Sequence, residues 1–68
     1  MKYKYAIVDV VNGFRFVKSF DNEDVARSEI YKLRKARYMA YYPDRPAYEY
    51  DLMKHDNGFN LIKYTIIA

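Results

Sequence analysis

The residues that could carry out acid–base or metal chemistry are few. His55 is the only histidine, and it lies beside Asp56 at an expected turn. A general base or a metal site needs converging partners, and only carboxylates are close by. Glu49 and Asp51 lie two residues apart and would form a carboxylate pair on one side of a strand. Lys63, expected opposite them, favours a surface ion pair instead, and His55 is expected to be a solvated turn residue.

Other routes to catalysis have no support in the residue content. The chain has no cysteine, which excludes a disulfide, a thiolate ligand and a thiol nucleophile. Its only serines, Ser19 and Ser28, have no evident base partner, and no glycine-rich loop could cradle a phosphate. We therefore expect no catalytic residues, no metal, no cofactor and no small-molecule substrate, and the chain is predicted not to be an enzyme.

A stripe of basic and aromatic residues is the sharpest positive feature. Arg27, Tyr31, Arg34 and Tyr38 follow one another at helical spacings of four, three and four, with Lys35 beside them. One interpretation is a solvated face on which arginine stacks on tyrosine. The other is a contact surface for a protein or a nucleic acid, because arginine and tyrosine are frequent at binding hot spots and also contact phosphates and bases. These five residues are the candidate binding residues.

The stripe requires a long helix, which the sequence predicts over residues 21–41. Asp21 is suited to the N-cap, and Pro43 should end the helix near Tyr41. The side opposite the stripe is predicted to be buried, and it consists of Val25, Ala26, Ile30, Leu33, Ala36 and Ala40.

The same helix carries most of the positive charge. Residues 27–37 hold five basic residues and one acid, a local charge of +4 against +3 for the whole chain. This concentration supports nucleic-acid binding by the helix face. Acids at positions 21, 23 and 24 lie at the helix end that usually enters a groove, and they weaken that interpretation.

A hairpin is predicted before the helix. The segments 3–10 and 14–20 are rich in β-branched and aromatic residues, and Asn12-Gly13 between them is typical of a two-residue turn. The aromatic face of this hairpin is assigned to the helix. The aliphatic face is left without cover and is the candidate interface with another subunit; it consists of Ala6, Val8, Val10 and Val17.

A second hairpin is predicted after the helix. Pro43 and Pro46 mark a turn, and residues 47–54 and 59–67 alternate as strands around a loop with Gly58 in the left-handed conformation. The predicted fold is therefore α+β, a hairpin–helix–hairpin (ββαββ) with a mainly antiparallel four-stranded sheet and one long helix across one face.

Length and composition favour an interaction protein. Residues 1–68 make a single small domain whose core must be thin, so a partner subunit would be a natural supplement. No apolar run approaches the ~20 residues of a membrane span, and we expect a cytoplasmic protein without a membrane partner. Nine tyrosines among 68 residues exceed what such a core can hide, and tyrosine is enriched where proteins meet.

Part of the chain resembles a known family. A hairpin followed by Lys18-Ser19-Phe20 and an acidic helix start with Ala26 resembles the arm-type DNA-binding domains of phage integrases. The resemblance covers less than half of the chain, which has two strands before the helix where that family has three. Its composition is also similar to that of accessory proteins of phages and other mobile elements.

The function predicted from these observations is a non-enzymatic protein-interaction module of the homodimer, adaptor or inhibitor type. The alternative is a nucleic-acid-binding domain that uses the basic helix face.

Overall fold

A computed structural model describes residues 2–53 and 57–66. Its elements in chain order are β1 (Lys2–Asp9), β2 (Arg15–Phe20), α1 (Glu23–Tyr41), α2 (Ala47–Met53) and β3 (Phe59–Ile66). The α+β class was predicted, but the four-stranded sheet with one long helix is wrong. The described residues form one antiparallel sheet of three strands, together with two helices.

The first strand occupies the centre of the sheet, whose order is β2-β1-β3. β3 pairs with β1 without a register shift from Lys2↔Ile66 to Asp9↔Phe59. Residues 47–53, predicted as the strand that pairs with β3 in a second hairpin, form a helix instead. β1 takes their place, because the first hairpin leaves one edge of β1 open.

A β-bulge changes the register of the first hairpin. Ile7 faces Lys18, as predicted, but Val8 then faces Phe16, so that Val17 is the extra residue. The predicted two-residue turn is wrong, because five residues, 10–14, connect the strands. Positive φ angles fall on Gly13 (74°) and Phe14 (59°). The bulge moves Phe16 to the sheet face that carries Val8, away from α1.

The N-cap of the long helix lies one residue later than predicted. The Asn22 side chain, and not that of Asp21, accepts hydrogen bonds from the backbone N–H groups of Asp24 (2.8 Å) and Val25 (3.2 Å). These bonds satisfy two of the donors that a helix start leaves without partners. The predicted end of the helix at Tyr41 is confirmed.

The core lies between α1 and the inner face of the sheet. Ile7, Ile30 and Phe59 form its buried centre, and partly buried side chains from β2, α1 and β3 surround them: Phe20, Leu33 and Leu61. Since Ile7 and its partner Leu61 point toward α1, the alternate residues of each strand point to the outer face.

The buried side of α1 differs from the prediction at its start and along its second half. Ala26 and Ile30 are buried as expected, but Val25, Ala36 and Ala40 are exposed. Tyr38, placed in the solvent-facing stripe, is fully buried. The helix changes its buried side because its first half packs on the sheet and its second half also packs on α2.

The segment predicted as the third strand is α2. Pro46 precedes it, and its carbonyl accepts the Glu49 N–H at 3.1 Å, which closes the first turn. Only Tyr50 is buried, whereas Tyr48 and Leu52 are exposed. The alternation of these three residues therefore does not mark a strand face. Asp51 lies 3.6 Å from Lys35, so its predicted pairing with Lys63 is wrong.

Candidate interaction surfaces

The residues of the predicted Arg–Tyr stripe do not form one surface. Arg27 is exposed and pairs with Glu23 at 3.1 Å. Tyr31 is partly exposed and packs edge-on against Tyr50 of α2, with the ring centroids 5.4 Å apart. Tyr38 is buried. Lys35 pairs with Asp51, and its ammonium lies 5.6 Å from the Tyr31 ring centroid.

Arg34 attaches α1 to the edge of the sheet. Its Nε and Nη2 both donate to the Phe59 carbonyl oxygen, at 3.0 and 2.7 Å. The Asn57 side-chain amide donates in return to the Arg34 carbonyl at 2.6 Å. A guanidinium that binds the backbone in this way holds the start of β3 against the helix.

A second arginine, which the sequence did not single out, makes the main buried ion pair. Arg37 donates through Nη1 and Nη2 to both carboxylate oxygens of Asp9, at 2.8 and 2.5 Å. Arg37 Nη1 also donates to the Asn57 carbonyl at 3.0 Å, and its guanidinium lies 3.9 Å from the Phe59 ring centroid. Asn12 donates to the same carboxylate at 2.6 Å.

This pair shifts the protonation equilibria of both partners. The Arg37 hydrogen bonds, supported by the Asn12 amide, hold the pKa of Asp9 far below its ordinary value of 3.8, although burial opposes the shift. The hydrogen bonds to the Asp9 carboxylate raise the pKa of Arg37 above its ordinary value, although burial opposes the shift. A carboxylate that stays charged beside a fixed cation is poorly suited to proton transfer. The pair joins the ends of β1 and α1 to the turn before β3.

One signal in the sequence could have located this pair. Asp9 interrupts the apolar face of β1, and a buried carboxylate requires a cation. Five basic residues follow on the helix, and only the rotation of α1 over the sheet decides that Arg37 is the one that reaches Asp9.

Tyrosine rings connect α1 to α2. The Tyr38 ring lies 5.1 Å from that of Tyr42 and 5.5 Å from that of Tyr50. The Tyr38 hydroxyl donates to the Glu49 carboxylate at 3.4 Å, and Glu49 also accepts from Arg45 at 3.1 Å. Tyr38 and Tyr50 are buried in these contacts, whereas the Tyr42 ring stays exposed on one side.

The outer sheet face, the side away from α1, carries a contiguous apolar surface. Ala6 and Val8 of the central strand form its floor and are nearly covered by their neighbours. Exposed apolar side chains stand around them: Phe14 (67% exposed), Phe16 (59%), Ile62 (43%) and Tyr64 (39%). Ala6 and Val8, two residues of the predicted interface, therefore lie on the outer sheet face, where they are buried by their neighbours.

The other two residues of that predicted interface differ in their positions. Val10 is half-buried just beyond the end of β1, where its N–H group continues the ladder to Gly58. Val17 is displaced by the bulge and, with the adjacent Phe16, borders a cleft that also includes Leu33 and Arg37. Phe14 and Phe16 are the residues that the sequence did not assign to the outer face.

An open groove of about 620 Å³ follows the outer edge of β3. On the inner side it is lined by Arg27, Arg34 and Lys63, together with Glu23. On the outer side it reaches Phe14 and Ile62. The groove is therefore basic toward the helix and apolar toward the outer sheet face.

Within residues 2–53 and 57–66, no three acidic or histidine side chains are placed to hold a metal ion. Across the same residues, neither helix combines the length and the apolar character needed to cross a membrane. His55 falls outside the described part of the chain. No protein-family model matches this sequence, and neither a curated protein nor a solved structure matches it.

Proposed function

We propose that this chain is a non-enzymatic protein-interaction module that associates with a second copy of itself through its outer sheet face. The observation that carries the proposal is the cluster of exposed apolar side chains on that face, where Phe14, Phe16 and Ile62 surround Ala6 and Val8. Antiparallel sheets that are covered on one side normally present polar residues on the other. Contiguous exposed apolar patches mark interaction sites.

The backbone of Phe14 gives independent support. Its φ of 59° lies in the left-handed region, where an L-residue other than glycine or asparagine is strained by about 1–2 kcal/mol. Its side chain is nevertheless mostly exposed, so no internal packing compensates for the strain. An exposed aromatic ring held in a strained conformation is typical of a residue retained for contact.

The distribution of charge on the outer face fits self-association. Lys2 and Lys4 lie at one end of the described face, and Phe16 lies at the other, beside Val8. Two copies can stack their outer faces about a two-fold axis that lies between the sheets and runs perpendicular to the strands. In this arrangement the strands of the second copy run in the opposite direction. The lysines of each copy then lie over the phenylalanines of the other, which favours cation–π contact and separates like charges.

The size of the face predicts a weak dimer. Viewed face on, three strands ~4.8 Å apart and about 25 Å long cover roughly 400 Å². This area is within the range of apolar patches that are often functional. The total buried area would lie near ~1,000 Å², the lower limit for a specific interface. We therefore expect an equilibrium between monomer and dimer that depends on protein concentration.

Sedimentation velocity over a wide range of protein concentration tests the proposal. The unmodified protein should shift from monomer to dimer as its concentration rises. Phe16→Lys should raise the dimer dissociation constant by roughly tenfold or more, because it places a charge in an apolar contact. Phe14→Asn should also weaken the dimer while it raises the free energy of unfolding by about 1 kcal/mol, since asparagine tolerates the left-handed conformation.

Val25→Lys is the matched control, because Val25 is an exposed valine on α1 and lies far from the outer face. It should leave the dissociation constant unchanged. A monomer at every concentration would refute the proposal, and so would an equal loss of association in the Val25 and Phe16 variants.

The alternative from the sequence, nucleic-acid binding by the helix, gains less support. Four cations of α1 have intramolecular contacts, with Glu23, the Phe59 carbonyl, Asp51 and Asp9. Cations held in this way are less available to phosphates. Nucleic-acid binding, a cytoplasmic location and an accessory role in a phage or another mobile element stay predictions from the sequence.

A further inference from the structure

We propose that the outer edge of β3 binds an extended acidic segment of a partner protein, which adds to the sheet as a fourth strand. The segment would alternate acidic and apolar residues. This edge shares Phe14 and Ile62 with the outer sheet face, so peptide binding and self-association should compete for these two side chains.

The backbone of β3 has its hydrogen-bonding groups directed at this edge. The Val10 N–H donates to the Gly58 carbonyl at 2.9 Å. Since hydrogen-bonded and non-hydrogen-bonded residue pairs alternate along an antiparallel ladder, this bond determines which residues of β3 bond to β1. Ile62 and Tyr64 therefore direct their N–H and C=O groups toward β1, and Leu61 and Lys63 direct theirs away from it. The Phe59 carbonyl, which accepts hydrogen bonds from Arg34, also points away from β1, as this alternation requires.

The edge of β3 is also the more regular of the two sheet edges. β3 pairs with β1 over eight residues without a register shift, and it contains no proline or glycine. β2, at the other edge, is distorted by the bulge at Val17. Bulges obstruct edge pairing, whereas a flat, regular edge is open to an added strand. Arg34 binds the Phe59 carbonyl at one end of the β3 edge.

The side chains that flank the edge specify the chemistry of the partner. Side chains of an added strand would alternate between the two sides of the groove. On the inner side they would meet Lys63 and the Arg27–Glu23 ion pair, which together carry a net positive charge. On the outer side they would meet Phe14 and Ile62. Acidic residues suit the first environment and apolar residues suit the second.

A second copy of this chain fits the edge less well than an acidic segment does. Antiparallel pairing of β3 with its own copy would place both helices on the same side of the sheet. Arg27 and Lys63 of the two chains would then face one another, and opposed like charges destabilise strand pairs.

A fluorescently labelled peptide, as long as β3 and with alternating valine and glutamate, tests the proposal by anisotropy titration. It should bind saturably, and its affinity should fall as salt is added. The same peptide with lysine in place of glutamate should not bind. A version with N-methyl groups on the edge-facing amides should also fail to bind, because it cannot hydrogen-bond to β3.

Variants of the chain separate this site from general charge attraction. Lys63→Glu should weaken peptide binding roughly tenfold or more, because it reverses a charge inside the groove. Lys32→Glu reverses an exposed cation of α1 outside the groove and should change the affinity by less than about twofold. Should Lys63→Glu unfold the chain, Lys63→Gln removes the charge and keeps a long side chain, and weaker binding is again expected.

Three results would overturn the proposal: no saturable binding, equal binding of the N-methylated peptide, or equal losses in the Lys63 and Lys32 variants. The groove is formed within one chain, so the titration is made on dilute, monomeric protein. Peptide binding by a chain that stays monomeric at every concentration refutes only the dimer. A chain that dimerises at high concentration but does not bind the peptide when dilute refutes only the β3-edge site.

Discussion

At the scale of single residues, the bonds between Asp9 and Arg37 connect the central strand to the long helix and to the turn before β3. Asp9 is the last residue of β1, and Arg37 lies on α1. In the turn before β3, the Asn57 carbonyl accepts from Arg37 and the Asn57 side chain donates to the Arg34 carbonyl. A buried ion pair adds little stability compared with an apolar pair, but removal of one partner leaves a buried charge uncompensated. The pair therefore specifies how α1 lies on the sheet.

The ion pair should make stability depend on pH in the acid range. The pKa of Asp9 is lowered in the folded state, so the unfolded chain takes up its proton first as the pH falls. The stabilisation is fully present at pH values above the unfolded pKa near 3.8, and it is lost progressively below that value. Urea unfolding at a series of pH values between neutral and strongly acidic measures this loss.

Asp9→Asn provides the comparison for that measurement. It should lower the urea midpoint at neutral pH, and its difference from the unmodified protein should shrink as the pH falls below about 4. Asp44→Asn, at an exposed turn position, is the control and should follow the unmodified curve. A constant difference between Asp9→Asn and the unmodified protein at all pH values would contradict the assigned role of the carboxylate.

At the scale of elements, α2 determines how the second half of α1 is used. Tyr50 is the buried residue of this short helix, and it packs against Tyr31 and Tyr38 of α1. A helix of seven residues has little stability of its own. The tyrosine contacts and the ion pair between Lys35 and Asp51 therefore hold it in place.

Truncation of Tyr50 should release α2 from the domain. Tyr50→Ala should lower the free energy of unfolding by about 3 kcal/mol, because it removes a buried aromatic ring. Tyr48→Ala is the matched control on the same helix, where the ring is exposed, and the change should be within about 0.5 kcal/mol. Chemical denaturation measures both values. Equal effects of the two variants would show that Tyr50 does not anchor α2.

At the scale of the whole molecule, the sheet is built around the first strand. β1 is paired on both sides, by β2 within a hairpin and by β3 from the far end of the chain. The ladder between β1 and β3 closes a long loop that contains both helices. The core forms only when this distant pairing is made, since Ile7, Ile30 and Phe59 come from three separate elements.

Hydrogen exchange measured by NMR should report this arrangement residue by residue. In β3, the amides of Ile62 and Tyr64 should exchange roughly a hundredfold or more slowly than those of Leu61 and Lys63, because only the first two donate to β1. Amides of β1 should be slow throughout its central part. Equal protection of neighbouring amides in β3 would contradict the register and the open edge.

The sequence by itself determined the local elements. Asn-Gly between β-branched segments indicated the first hairpin, and Pro43 marked the end of α1 at Tyr41. The apolar side of the first half of α1 could also be predicted, since Ala26 and Ile30 follow helical spacing and pack directly on the sheet. These features depend on turn chemistry, capping and periodicity, which act over a few residues.

Only the tertiary structure decided the rest. Tyr48, Tyr50 and Leu52 alternate as in a strand, yet their segment forms α2. β3 pairs with the open edge of β1, and Tyr50 packs in a buried site beside Tyr38. The bulge at Val17 transferred Phe16 to the outer face, and packing of α1 on both the sheet and α2 buried Tyr38. Strand partners and buried sides depend on contacts between distant segments, and local patterns do not encode them.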